Sequence, residues 1–233
     1  GRCVGGWFGW SKGKSKCWER STMCAMSTPF ELPLVSVIMG VRYQREDLFL
    51  LNRAITSILN QTYQNLELLI CENGSTEAVR IYLERFAEED HRIRLIDGKG
   101  ADSFAEKLNR CLRMVRDKWI ARMDDDDVSA PQRIAMQVEY LREHPQVAFV
   151  GCVARLERRP AGWRQLPERP TVEDFYFVQR FLHPTLMFRK EALEKVGGYS
   201  EEKRCVGCED YDLLLRLYEA GFRGENMQEP FFT

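Results

Sequence analysis

The sequence predicts an α/β fold with a mainly parallel central sheet that is covered by helices on both faces. From about residue 34 to residue 153, short apolar runs alternate with segments whose apolar residues recur at helical spacing. Strands that alternate with helices in this way imply parallel pairing through right-handed crossovers. The 233 residues are 44% hydrophobic and 30% charged, which favours one globular domain with a sizeable core.

The pattern begins with two strands and two helices. Residues 34–39 form a short apolar run with β-branched side chains and predict the first strand, and apolar residues at helical spacing over 48–59 predict the helix that follows. Residues 66–71 predict the second strand. A turn and helix cap at residues 73–76 then introduce the second helix, whose apolar positions extend over 78–86.

Three further strands follow in the same alternation. Residues 93–96 predict the third strand, and apolar positions over 104–115 predict its helix. Residues 119–123 predict the fourth strand. Residues 129–132 then predict a helix start with a capping box and a proline in the first turn, and residues 147–153 predict the fifth strand.

The pattern weakens after the fifth strand and recovers at a closing helix. This helix is predicted to begin near Glu209, with Gly221 ending it in a left-handed cap. Residues 1–33 show neither helical nor strand periodicity and predict a poorly ordered leader, or a segment that precedes a natural start at Met23 or Met26. Residues 34–233 are the expected folded domain.

Composition excludes some partners and favours one compartment. The net charge of −1 gives no general attraction to nucleic acid. The longest apolar stretch is far shorter than the roughly 20 residues that span a bilayer, so we expect a soluble or peripheral protein. Three of the eight cysteines, Cys71, Cys111 and Cys152, lie in apolar periodic segments, where free thiols act as small hydrophobes. A reducing cytoplasm is therefore expected.

Four consecutive aspartates at residues 124–127 directly follow the fourth predicted strand. If that strand is buried, the carboxylates emerge at its carboxyl end, where open α/β sheets bind their ligands. Hard divalent ions such as Mg²⁺ and Mn²⁺ take carboxylate and phosphate oxygens, so the run predicts a metal and diphosphate site. An acidic turn that is simply solvated is the alternative.

Several further motifs occur with the aspartates in a fixed order. In chain order the pieces are residues 35–39, 71–77, 120–127, 183–185, 196–199 and 209–213. Together they resemble family 2 glycosyltransferases with the GT-A fold, especially bacterial enzymes that build capsular and extracellular polysaccharides. The resemblance implies an inverting transferase that moves a sugar from a nucleotide diphosphate donor, expected to be a UDP-sugar, to an acceptor hydroxyl, with Mn²⁺ or Mg²⁺.

The resemblance also implies a donor site. Glu72 stands where the family usually has an aspartate that accepts a hydrogen bond from the base, and a carboxylate suits the imide N–H of uracil or thymine. Asn73 replaces a second common aspartate. Val41 and Asp125 are placed in the same site. His183 is expected to approach the diphosphate or metal, and a structural role at the entry to a strand is its alternative.

The remaining acidic residues are assigned to metal binding and catalysis. Asp124 and Asp126 match the D-x-D pattern of the family; Asp126 is the expected metal ligand, and Asp124 is expected to contact the ribose or a metal-bound water. Asp210 matches the general base that accepts the acceptor's proton, and Glu209 is expected to support it or bind the acceptor. Simple helix capping is the alternative for this pair.

The same resemblance divides the domain into a nucleotide-sugar half, residues 34–153, and an acceptor and catalytic half, residues 154–233. The acceptor is expected to be a saccharide or lipid-linked saccharide, with the protein at the inner face of the membrane. Two other functions stay open. A sugar-phosphate nucleotidyltransferase would normally carry a Gly-rich basic loop after the first strand, which residues 41–44 lack. A degenerate domain that only binds a partner is the other.

Overall fold

The computed structural model describes residues 32–44, 47–155, 166–176 and 178–233. Within these residues seven strands form a single sheet. They are β1 (Val35–Val41), β2 (Leu66–Glu72), β3 (Ile93–Asp97), β4 (Trp119–Arg122), β5 (Phe149–Ala154), β6 (Met187–Arg189) and β7 (Gly224–Phe232).

Helices follow most of the strands. The α-helices are α1 (Phe49–Leu59), α2 (Glu77–Glu89), α3 (Phe104–Met114), α4 (Arg133–Glu143), α5 (Lys190–Lys195) and α6 (Glu209–Glu219). Three short 3-10 helices are found at Val172–Tyr176, His183–Thr185 and Lys203–Cys205. The predicted alternation of strands and helices over residues 34–153 is confirmed.

The sheet has the strand order β3-β2-β1-β4-β6-β5-β7. The pairs among β1 to β4 are parallel, as predicted, and β5 pairs with β7 in parallel. The short strand β6 lies between β4 and β5 and is antiparallel to both. Because β6 comes from the second half of the sequence, both halves contribute to one continuous sheet.

Alternating residues of the central strands bury two cores on opposite faces of the sheet. On one face, Val37 and Met39 pack with the apolar sides of α1, α2 and α4. On the other face, Ile38 packs with α3, α5 and α6. Burial on both faces explains why β1 and β4 are continuous apolar runs, as is typical of parallel sheets.

The predicted start of α4 is wrong. The helix begins at Arg133, and Gln132 at its N-cap makes no side-chain capping bond. Ser129 instead forms an isolated bridge with Phe232 of β7, and its hydroxyl accepts a hydrogen bond from the Gln61 amide at 3.1 Å. A tertiary contact with the edge strand thus takes the residue that local sequence assigned to a cap.

Strand β7 was not predicted, because its polar sequence lacks both alternation and β-branched residues. It is an edge strand, and its register with β5 shifts beside Pro230, a position where a missing N–H is tolerated. Gly221 has φ +88, which confirms the left-handed end of α6. Cys71, Cys111 and Cys152 are free and buried, as predicted.

None of the described helices is long and apolar enough to cross a bilayer. Residues 32–233 form one compact unit. The predicted leader lies outside the described residues, apart from Leu32 and Pro33.

Gly98 offers a test of the packing between the ends of β2 and β3. A Cβ atom on this residue would lie 1.9 Å from the carbonyl oxygen of Glu72, so backbone must move. We expect Gly98→Ala to lower the free energy of unfolding by about 1–3 kcal/mol, as overpacking does. Urea denaturation measures the change, and the exposed neighbour variant Lys99→Ala should stay within about 0.5 kcal/mol of wild type. Equal stability of all three proteins would contradict the contact.

Candidate active site

The parallel register brings the ends of neighbouring strands to one edge of the sheet. Val41, Glu72 and Asp97 lie in one row at the carboxyl ends of β1, β2 and β3. Arg122, the last residue of β4, pairs with Ile38 of β1, so the aspartates that follow it emerge at the same edge. This is the edge at which open α/β sheets bind ligands.

A cavity of about 680 Å³ lies at the ends of β2 and β3 and is lined by Glu72, Asn73 and Gly98 among others. One carboxylate oxygen of Glu72 accepts a hydrogen bond of 2.8 Å from the Ser75 amide. The Asn73 side chain donates to the carbonyl of Ala101 at 3.2 Å. The second oxygen of Glu72 has no hydrogen bond within the described residues, so it can accept one from a ligand.

The acidic run sits above a buried cation. The guanidinium of Arg122 is fully buried and pairs with the carboxylate of Asp124. Burial and the charges of Asp126 and Asp124 raise the pKa of Asp125 to about 6. Burial and the same two neighbours raise the pKa of Asp127 to about 7. Asp126 is exposed.

Burial and the neighbouring carboxylates together outweigh the effect of Arg122 on the pKa values of Asp125 and Asp127. Carboxylate oxygens are hard donors, so the donor set fits a Mg²⁺ or Mn²⁺ ion. The described residues contain no group of three or more His, Cys, Asp or Glu side chains already arranged around a common ion position. A site of one or two carboxylates completed by substrate phosphates is the arrangement that Mg²⁺ usually adopts.

A second cavity, of about 410 Å³, brings together residues that are far apart in the chain. Asp124, His183, Glu209 and Asp210 all line it, with Gln179 and Phe104. Glu209 and Asp210 occupy the first turn of α6, where the helix dipole favours negative charge.

The carboxylate of Asp210 is held from two sides. One oxygen accepts a hydrogen bond of 2.8 Å from the Tyr211 amide, and the other accepts one of 3.3 Å from the Gln179 side chain. These bonds fix the direction of the carboxylate, which lines the cavity and forms no ion pair with any cation among the described residues.

His183 is buried with 8% of its surface exposed, and its Nε2 shares a hydrogen bond of 2.8 Å with the Tyr199 hydroxyl. Burial and the nearby charge of Arg122 hold the pKa of His183 well below its ordinary value. The imidazole is therefore a neutral part of the cavity wall.

The predicted site residues thus fall into two neighbouring groups. Asp124, Glu209, Asp210 and His183 share the second cavity, whereas Glu72 and Asn73 line the first. Asp125 and Asp126 line neither, but both belong to the same acidic turn as Asp124.

Val41 is fully buried in the core, and its carbonyl accepts a hydrogen bond from the Asn73 amide at 3.3 Å. Its side chain therefore does not face the first cavity, and a contact between Val41 and a donor stays a prediction.

Sequence reasoning missed three supporting residues: Arg122, Gln179 and Tyr199. A charged residue inside an otherwise apolar strand run was the available signal for Arg122. Tyr199 belongs to the motif at residues 196–199, but no local signal indicated its contact with His183, 16 residues away. Gln179 had no local signal, because its role depends on Asp210, 31 residues away.

Comparison with known proteins gives matches over most of the chain. The sequence model described as "Glycosyl transferase family 2" matches residues 37–197, and one described as "N-terminal domain of galactosyltransferase" matches 174–231. EpsE of Bacillus subtilis (strain 168) is 39% identical over 203 residues, covering 86% of this chain and 72% of that protein. The O-antigen biosynthesis glycosyltransferase WbnJ of Escherichia coli is 35% identical over 209 residues, covering 85% and 78%.

Solved structures share the fold. The mannosyltransferase PcManGT from Pyrobaculum calidifontis, in complex with GDP-Man and Mn²⁺, has a TM-score of 0.66 at 24% identity, over 86% of this chain and 56% of that one. S. aureus TarS in complex with UDP-GlcNAc has a TM-score of 0.68 at 16% identity, over 85% and 57%. The chain therefore spans less than two thirds of either structure.

The neutral state of His183 can be tested by NMR. Because its folded pKa is lowered, the unfolded chain takes up the proton first, and the folded state loses stability as the pH falls below about 6.5. We expect the His183 ring resonance to stay unshifted from pH 8 to pH 6 in the native protein and to titrate in urea. The resonance that disappears in the His183→Gln variant is assigned to His183. A native midpoint near 6.5 would contradict the neutral assignment.

Proposed function

The chain belongs to glycosyl transferase family 2, and we propose that it is a metal-dependent, inverting glycosyltransferase that uses a UDP-sugar in polysaccharide biosynthesis. The observation that carries this proposal is the cavity that Asp124 and Asp210 line together. A residue predicted to bind donor and metal and a carboxylate that can act as a base thus both line this cavity. These are the two groups that displacement of a nucleoside diphosphate by a hydroxyl requires.

The nucleobase of the donor is assigned to the first cavity, which Glu72 lines. The free oxygen of its carboxylate can accept the imide N–H of uracil, while its other oxygen is held by the Ser75 amide. The complex of TarS with UDP-GlcNAc supports a UDP-sugar as donor, whereas PcManGT was solved in complex with GDP-Man. A carboxylate can also accept from guanine, so binding of UDP and GDP must be compared directly.

Asp126 and Asp124 are the residues that would hold a divalent ion. When bound, Mn²⁺ or Mg²⁺ supplies positive charge against the diphosphate that leaves. The Mn²⁺ in the PcManGT complex supports this assignment. Arg122 holds Asp124 from the protein side, so Asp126, which is exposed, is the carboxylate more available to an ion.

Asp210 is assigned as the general base. It takes the proton of the acceptor hydroxyl while that oxygen bonds to the anomeric carbon and the bond from this carbon to the diphosphate oxygen breaks. Attack from the face opposite the diphosphate inverts the configuration. Gln179 and the Tyr211 amide keep the carboxylate directed into the cavity. Glu209, which lines the same cavity, is placed to bind the acceptor.

The acceptor is proposed to be a saccharide or a lipid-linked saccharide, with the protein acting at the inner face of the membrane. The O-antigen role in the name of WbnJ supports a polysaccharide product. Family membership removes the nucleotidyltransferase alternative. A domain that only binds a partner would keep nucleotide affinity but show no turnover, and activity measurements separate the two.

Removal of Asp126 tests metal-dependent donor binding. We expect UDP to bind the wild type with Mn²⁺ and to bind much more weakly in EDTA, by isothermal titration calorimetry. Asp126→Ala should weaken UDP binding by about 10-fold or more, since even indirect partners of a metal ligand are worth 10- to 100-fold. The exposed-carboxylate control Glu88→Ala on α2 should match wild type. Equal binding with Mn²⁺ and EDTA would contradict a metal at this site.

Substitution of Asp210 tests the base. Asp210→Asn keeps the shape of the side chain but cannot take a proton, so we expect UDP binding to persist and turnover to fall by about 10²- to 10⁴-fold. UDP release from UDP-sugars, with a panel of simple glycosides as acceptors, gives the rate. The matched control is Asp212→Asn, which removes a carboxylate paired with Arg216 on the same helix. Near-normal turnover of Asp210→Asn would remove the base assignment.

A further inference from the structure

Lys107 is a buried lysine that has no hydrogen-bond or ion-pair partner in the part of the chain that the structure describes. Only 2% of its surface is exposed, and its ammonium group makes no hydrogen bond or ion pair within the described residues. The ammonium nitrogen is not completely buried, so it keeps contact with solvent. Placing a lysine almost entirely inside the protein without an ion pair among the described residues is costly, which makes this arrangement unusual for a residue that only fills space.

The position of Lys107 is fixed by the packing of α3 on the end of β1. A Cβ atom on Gly40 would lie 3.3 Å from the Cβ of Lys107. Strand β1 lies between β2, which ends at Glu72, and β4, which leads to Asp124. Lys107 therefore packs against the end of the strand that lies between the two cavities. It lines neither cavity itself, but Phe104, one turn earlier on α3, lines the second.

Charges of both signs lie near Lys107. Burial and the positive charge of Arg42 lower the pKa of Lys107, while Glu72 and Asp102 act in the opposite direction without forming an ion pair with it. Arg42 directly follows β1 and is exposed. Two cations, Arg42 and Lys107, thus lie at the end of β1, between the cavity lined by Glu72 and the acidic turn at residues 124–127.

We propose that Lys107 binds the donor, its ammonium donating a hydrogen bond to a phosphate oxygen of a nucleoside diphosphate that lies across the end of β1. The inference rests on the proposed function, which requires a donor extending from the Glu72 cavity to the Asp124 cavity. A phosphate oxygen is favoured over a base or sugar oxygen because it is charged and so offsets the buried cation. Lys107 is then a donor-binding residue that acts beside the metal.

The alternative is that the lysine stem packs against the sheet and the ammonium merely reaches water. Lys107→Met keeps the stem and removes the charge, so it separates packing from phosphate binding. Because an unpaired buried charge is removed, its melting temperature should equal or exceed that of wild type. Arg113→Met, at an exposed position of the same helix, makes the same change in net charge and is the matched control.

Calorimetry with Mn²⁺ and the probes UDP, GDP and uridine tests the assignment. We expect Lys107→Met to weaken UDP and GDP by about 10- to 100-fold, the range of one hydrogen bond to a charged group, and to leave uridine unchanged. If the methionine variant is poorly folded, Lys107→Gln should likewise weaken UDP and GDP binding and leave uridine binding unchanged. Arg113→Met should bind all three probes as wild type does.

Three results would overturn the inference. Diphosphate binding that is unaffected in a folded Lys107→Met would reject Lys107 alone and leave the proposed function standing. An equal loss of affinity for uridine and UDP would mean that Lys107 contacts the nucleobase or ribose and not a phosphate. Failure of the wild type to bind either diphosphate would reject the proposed donor and this inference together.

Discussion

The acidic turn depends on the buried guanidinium of Arg122. A run of four carboxylates at the end of a buried strand is unfavourable unless positive charge lies close to it. Arg122 supplies that charge from inside the core, where it pairs with Asp124 and lies 4.8 Å above the ring of Phe104. Two of its nitrogen atoms have no partner within the described residues, so the cation is itself incompletely satisfied. The pair therefore holds Asp124 in place, while Asp126 of the same turn stays exposed.

A second layer of buried polar residues supports this pair. Arg133 of α4 is fully buried and donates to the carbonyl of Arg122 at 2.6 Å. Gln137, one turn later, donates to the carbonyl of Thr185 at 2.7 Å. Helix α4 therefore fixes both the end of β4 and the 3-10 helix that contains His183. Such connected networks rigidify a site when most of their groups are satisfied.

The geometry of the sheet explains how two cavities can serve one substrate. Parallel strands end at one edge, so Glu72 and Asp124 face the same side although β1 lies between them. Asp210 reaches that side from α6, whose apolar residues pack in the core shared with α3 and α5. The general base Asp210 is thus held by the same core that packs against Phe104. Donor, metal and acceptor groups come from different segments, but one packed layer fixes their spacing.

The sequence by itself determined the local features that depend on short-range pattern. Hydrophobic periodicity predicted β1 to β5 and α1 to α4, and the ordered motifs indicated the family, because strand and helix periods and the aspartate run are contained in short segments. Only the tertiary structure decided the insertion of β6, the edge strand β7 and the role of Ser129, since each depends on a partner distant in the chain. The same limit applies to the site. The sequence indicated Asp124 and Asp210 and offered a local signal for Arg122, a charge at the end of an apolar strand, but only the fold showed that Arg122, Gln179 and Lys107 are held in this site, because their burial is set by residues distant in the chain.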